Sequence, residues 1–280
     1  MAENVQTTTV GDALISVIDV YTIPERLDKL IALPEADRTA SNIAALDCLE
    51  LLPVQCVLIR LAGHTVLVDA GVYDPAEDHS GPVGYVPPTG LIACLDEAGV
   101  HSSEVEHVVI THGHGDHYNA TTIERNGELE LMFPGAQYYL GRGDWERAAL
   151  QDALKNPNSL DRRTIGFLQH AGRLVTVEGD LEIAPGITIV ASPGETAGHQ
   201  GVRVCSEGET LYCVGDLYHH RLEVDHPTWA VPWADPAIIL ASRTEFVAAA
   251  LANNALVVAT HINGIGRLER TPVGVAWVTA

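Results

Sequence analysis

Ten residues near the middle of the chain restrict what the remainder can fold into: Thr111-His112-Gly113-His114-Gly115-Asp116-His117-Tyr118-Asn119-Ala120. They follow the apolar, β-branched run Val108-Val109-Ile110, which reads as a buried strand. The histidines therefore leave a strand end and enter a loop loosened by glycine. His112 and His114 are two apart, and on extended backbone alternate side chains point to the same side. Asp116 and His117 are adjacent, point differently, and suit a second ion beside the first. Gly113 and Gly115 allow the sharp turning that gathers all four side chains. Imidazole nitrogen and carboxylate oxygen suit zinc first, with iron, manganese or cobalt also compatible.

The stretch resembles the HxHxDH signature of the metallo-β-lactamase superfamily, and the resemblance runs from about Val54 to the C-terminus. Three further features follow in the family order: Gly198-His199, Gly215-Asp216 and His261. The resemblance implies that His112, His114 and His199 hold one ion, that Asp116, His117 and His261 hold a second, and that Asp216 bridges them. It also implies an α/β fold, an αββα sandwich of two mixed β-sheets flanked by helices. Locally, Asp216 and His261 each follow an apolar run and so lie at strand ends, which suits convergence on one sandwich edge. Asp69-Ala70-Gly71 closes an early hairpin. In the family this aspartate supports the site, while a turn residue bonding its own backbone reads equally well.

The 280 residues suffice for one large domain. The reading is a single metallo-β-lactamase-like domain over 1–280, with 1–53 as N-terminal strands and a covering segment. Strands are expected on either side of Gly11-Asp12, then short helices over 24–52, acting as core cover or as the contact of a homodimer. A hairpin spans Val54–Leu61 and Thr65–Val68, and 71–90 reads as a long loop. Thr89 is expected to cap a helix ending near Ala98. Residues 118–124 read as the start of a helix, Asp144–Leu154 and Asp161–Ala171 as two more. Strands are expected at Gln137–Leu140, Leu174–Val177, Ile187–Ala191, Val202–Cys205 and Thr210–Val214. Pro236–Leu251 reads as a helix, Leu256–Ala259 as the strand delivering His261, and Val273–Val278 as the last element.

The net charge of −21 repels phosphate backbones and anionic membranes, so neither nucleic acid nor a membrane is an expected partner. Five cysteines without CxxC spacing argue against a disulfide framework and suit a reducing cytoplasm. The N-terminus shows no signal peptide, and no apolar run is long enough to span a membrane. Gly141-Arg142-Gly143 fails as a dinucleotide fingerprint because Glu146 stands where a small residue is needed. Ser192 lacks the first glycine of a nucleophile elbow.

The activity implied is hydrolysis of a small-molecule lactone or carboxylic ester. A hydroxide bridging two divalent ions attacks the carbonyl, while Asp116 moves the proton to the leaving group. Within the superfamily the chain looks most like the quorum-quenching lactonases and methyl parathion hydrolase, on the full ligand set, on Asp216–His220 and on Ala241-Ser242-Arg243. The alternatives are a thioesterase like glyoxalase II, a phosphotriesterase, or an iron-binding redox protein without hydrolysis. After Asp216, Tyr218 and His219 compete to donate to the carbonyl or leaving oxygen, and Trp229 and Trp233 are expected to wall the pocket, with burial in core or dimer contact the competing reading.

Overall fold

The computed structural model describes residues 4–72, 90–272 and 274–280. Its strands in chain order are β1 (Val5–Val10), β2 (Ala13–Arg26), β3 (Leu49–Leu61), β4 (His64–Val68), β5 (His107–Ile110), β6 (Thr122–Arg125), β7 (Glu128–Leu131), β8 (Gln137–Gly141), β9 (Leu174–Val177), β10 (Leu181–Ala184), β11 (Ile187–Ala191), β12 (Gln200–Ser206), β13 (Glu209–Cys213), β14 (Leu256–Ala259), β15 (Ile262–Thr271) and β16 (Gly274–Thr279). One seven-stranded sheet has the order β1-β2-β3-β4-β5-β8-β9, and a second runs from β10 to β16 in sequence order.

Alternation along the strands explains the layering. Val66, Val68 and Val109 face the other sheet and pack with Ile189, Val204, Leu211 and Val258. Their neighbours Leu67, Val108 and Ile110 face outward and are covered by Leu91, Leu95, Leu150 and Leu168. Tyr212 and Val257 of the second sheet are covered by Ile239, Phe246 and Ala250 of the helix Pro236–Ala252. Both sheets are thus buried on two faces, which is why their strands read as continuous apolar runs. This is the expected αββα sandwich.

The pairings β4–β5, β5–β8 and β13–β14 are parallel. Their C-terminal ends emerge together, and Asp69, Thr111, Asp216 and His261 each follow such an end closely. The site is built on that edge.

Several local expectations are corrected. Residues 118–124 hold no extended helix: the single turn Gly115–Tyr118 is followed by one 3₁₀ turn, Asn119–Thr121, and then by the β6–β7 hairpin. Asn126 and Gly127 have φ of +54° and +82°, the left-handed pair that an Asn-Gly hairpin turn requires. The helix expected over 144–154 is two pieces, Arg142–Trp145 and Ala148–Ala153, because Asp144 and Arg147 both turn toward the Gly113 loop. The helix over 161–171 also breaks, at Thr164. β10 and β15 are strands that the apolar pattern did not announce. The helix expected after Thr89 is Leu91–Glu97 with Gly90 at its N-cap; Thr89, Val273 and most of the 71–90 stretch lie outside the described residues.

The segment between β2 and β3 covers core. Leu27, Leu30, Ile31, Leu46 and Leu52 pack around Trp229 and Val231, and Ala32 bridges to Ala230. Trp229 is fully buried there, stacked on His226, with its indole Nε1–H donating to Asp37. It is a core residue, which corrects its assignment as a pocket wall. No helix among the described residues is long and apolar enough to cross a membrane.

Candidate metal centre

Asp69 holds Thr111 and His117 from behind. Its backbone sits at φ +59°, a costly conformation for a residue with a side chain. The carboxylate accepts from the Thr111 amide at 2.8 Å and from its hydroxyl at 2.9 Å, and lies 2.9 Å from His117 Nδ1. Because the Thr111 hydroxyl donates to Asp69, His112 Nδ1, 3.2 Å away, can only donate to it. Both histidines therefore turn an Nε2 lone pair into the site, the orientation that outer hydrogen bonds impose on metal-binding histidines. His261 is set the same way, with Nδ1 on the Pro53 carbonyl at 2.8 Å.

A second clamp ties the loops together. Asp144, fully buried, accepts from the Gly113 amide, the Gly198 amide and the Thr196 hydroxyl. A Cβ on Gly141 would meet the Gly198 carbonyl oxygen at 1.8 Å. The glycines rejected as a nucleotide motif serve this close approach instead.

Asp216 is the hub. Its Oδ2 lies 3.3 Å from His117 Nε2, 3.3 Å from His261 Nε2, 3.1 Å from His219 Nε2 and 3.6 Å from His112 Nε2. Asp116 Oδ2 is 3.5 Å from His117 Nε2 and 3.4 Å from His261 Nε2. Donors bound at ~2.0–2.1 Å around a tetrahedral ion stand ~3.3 Å apart, so Asp116, His117 and His261 group as ligands of one ion, with Asp216 Oδ2 at the same spacing from both histidines. His112 Nε2 and His114 Nδ1 approach to 2.8 Å, a hydrogen bond when the proton sits on His114 Nδ1, and without that proton both lone pairs are free to face one ion. His117 Nε2 and Asp216 Oδ1 are buried without a hydrogen bond. Such orphaned buried acceptors are costly in a folded chain, and cations satisfy them. The donor set fits metal ions.

His199 is placed differently from its neighbours. Its Nδ1 faces Ser192, and its Nε2 accepts from the Asp216 amide at 3.1 Å. Its ring centroid is 5.4 Å from that of His112. The compact group on that side consists of His112, His114 and Glu195, a residue that the sequence motif did not single out.

Charge differs across the centre. Burial holds His112 well below its ordinary pKa and lowers His199 to about 4, so both stay neutral. Burial also opposes charge on His117 and His261, but the Asp216 and Asp116 carboxylates outweigh it and raise both. That end of the site attracts positive charge, as a proton or as a metal. Acid is therefore expected to expel metal, since protons occupy the lone pairs of His117 and His261 as pH falls. Loading metal-stripped protein near neutral pH should release protons into weakly buffered solution, and binding without release would contradict this.

A cavity of about 350 Å³ opens over the centre. Its floor carries His114, Asp116, Asp216, His219 and His261; Ile23, Leu30, Leu52 and Trp233 supply an apolar wall, and Glu25 a charge. His219 is buried with Nε2 toward Asp216. Burial opposes its charge, yet Asp216 and Glu223 hold its pKa up to about 10. Tyr218 is not in this cavity. It is fully buried against Phe246 with the Arg243 guanidinium over its ring, which corrects its candidacy as a donor to substrate. Arg243, also fully buried, pairs with Glu223 at 2.7 Å and donates to the carbonyls of Leu217, Pro227 and Trp229. Glu223 in turn accepts from the amides of His219 and His220.

Comparison with known proteins agrees with this geometry. The profile described as the metallo-beta-lactamase superfamily matches residues 49–261. The chain is 24% identical over 206 residues to an N-acyl homoserine lactonase of Bacillus thuringiensis, covering 68% of this chain and 74% of that protein. Among solved structures, the hydrolase AbOPH of the beta lactamase superfamily aligns with a TM-score of 0.79 at 18% identity, covering 100% of this chain and 98% of the other. AidC, a dizinc quorum-quenching lactonase solved with a product, N-hexanoyl-L-homoserine, aligns with a TM-score of 0.75 at 20% identity, covering 99% and 97%. The profile spans most of the chain, and the chain belongs to the metallo-beta-lactamase superfamily as a metal-dependent hydrolase.

Proposed function

We propose that the enzyme binds two divalent ions, zinc foremost, and hydrolyses a small-molecule lactone or carboxylic ester. The observation that carries this reading is the joining of an apolar wall to the carboxylate–imidazole floor within one cavity. An acyl chain suits Ile23, Leu30, Leu52 and Trp233, while the reacting carbonyl suits the floor. The lactonase relatives support the same substrate class. The superfamily's phosphotriesterases and thioesterases are the competing chemistries. None of the five cysteines is in a disulfide, which suits a cytoplasmic enzyme.

When bound, paired divalent ions lower the pKa of a shared water and polarise a substrate carbonyl. The chain's own groups do the rest. Asp116 is partly exposed on the cavity floor, where its carboxylate can take the attacking water's proton and return it to the leaving oxygen. His219 Nε2 lies on the same floor and can donate a hydrogen bond to the carbonyl or leaving oxygen.

The test is a hydrolysis panel of lactones with graded acyl chains, aryl esters, thioesters and phosphotriesters. The highest kcat/KM is expected for a lactone or carboxylic ester. A thioester or phosphotriester leading by tenfold or more, on the order of 1.4 kcal/mol, would overturn the substrate class. On the preferred substrate, Asp116→Asn should lower kcat by ~10²-fold or more, with metal partly retained.

A further inference from the structure

We propose that Glu195 is a direct protein ligand of the ion held by His112 and His114, in addition to the residues that the family motif supplies. The inference rests on the two-ion reading above and concerns only how the first ion is held.

Glu195 is 2% exposed. Its Oε2 lies 3.3 Å from His112 Nε2, and its Oε1 lies 3.3 Å from His114 Nδ1. Both distances equal the ~3.3 Å edge expected between ligands on one tetrahedral ion. Oε2 is buried with no hydrogen-bond partner, while Oε1 accepts from the Trp233 indole at 2.6 Å. One oxygen, Oε1, is thus oriented by an outer donor while facing His114, and the other, Oε2, is left bare toward His112. That is the arrangement of a carboxylate ligand supported from behind.

The backbone holds the side chain in this pose. Gly194 lies at φ +133°, and a Cβ there would meet the Ile239 backbone at 2.4 Å. Its carbonyl accepts from the Asp235 amide at 2.8 Å, and the Ser242 hydroxyl donates to the Pro193 carbonyl at 2.6 Å. The loop is pressed onto the helix Pro236–Ala252, and Glu195 projects from it to the metal side. His199, on the same loop, has its Nε2 at the Asp216 amide, and Glu195 is the third donor of the compact group with His112 and His114. A carboxylate beside two imidazoles also widens the acceptable ions toward manganese, iron or cobalt.

The experiment loads metal-stripped wild-type protein, Glu195→Gln and Glu195→Asp with Co2+. It follows stoichiometry by elemental analysis, affinity by chelator competition, and coordination by the visible d–d bands. Circular dichroism checks the fold of each variant. Wild type should bind two ions. Glu195→Gln should weaken one of them by at least tenfold and shift its bands at saturating Co2+, with the second ion unchanged. Glu195→Asp keeps the charge but is shorter by one methylene, and should also shift the bands. Unchanged bands at saturation in both variants, with or without weaker binding, would overturn direct ligation and leave Glu195 a positioning residue for His114. If wild type itself binds fewer than two ions, the two-ion reading falls and this inference with it.

Discussion

Asp216→Ala is expected to remove metal and activity together. Its Oδ2 lies within 3.6 Å of four imidazole nitrogens drawn from both halves of the site, so among the described residues no other side chain is as central. With it gone, His117 and His261 lose the carboxylate that favours positive charge beside them. On the two-ion reading kcat/KM should fall by ~10³-fold or more, equivalent to ~4 kcal/mol of transition-state stabilisation. Metal content and rate should be measured on the same preparation. An alanine variant that keeps two ions per chain and near-native turnover would remove Asp216 from the bridging position.

Arg243→Ala should be the most damaging change to stability outside the metal shell. The guanidinium is fully buried, pairs with the fully buried Glu223, and satisfies three backbone carbonyls after the hub aspartate. Burial opposes ionisation of Glu223, but Arg243 and His219 hold its pKa down at about 2. Removing the arginine leaves a buried charge without its partner, which costs about 3–5 kcal/mol. Denaturant unfolding of metal-saturated protein reads this directly, since metal-free protein would mix in the loss of binding energy. A loss below about 1 kcal/mol, the range of an exposed pair, would mean that water reaches Glu223 once the side chain is gone. Activity should fall as well, because the same pair fixes the amides of His219 and His220.

The choice between Tyr218 and His219 shows where sequence reading stops. Both follow the bridging residue closely, and both could donate a proton. The chain leaves a short 3₁₀ turn at Gly215–Leu217 and becomes extended at Tyr218, with φ −141° and ψ 127°. Neighbouring side chains on extended backbone point to opposite sides. Tyr218 goes into the core and His219 into the cavity, but which of the two goes inward depends on where the turn ends. Trp229 and Trp233 separate for a related reason. Trp229 meets the covering segment from the N-terminal part of the chain, whereas Trp233, 53% exposed, stands beside His114 and His219.

The family resemblance implied the layering; what the chain determined by itself was local chemistry: a histidine-rich loop on a strand end, aspartate and histidine on later strand ends, and apolar runs that read as strands. These follow from side-chain type and periodicity, which need no partner to be read. What only tertiary structure decided was which polar residues outside the motif reach the centre. Asp144, Glu195 and Glu223 come from loops and helices that look ordinary in isolation, and Asp69 and Arg243, which the family resemblance marked, found their partners only in the tertiary structure. Their roles arise because separate strands end on one edge, where a buried carboxylate is tolerated only if amides, imidazoles, a guanidinium or a cation meet it.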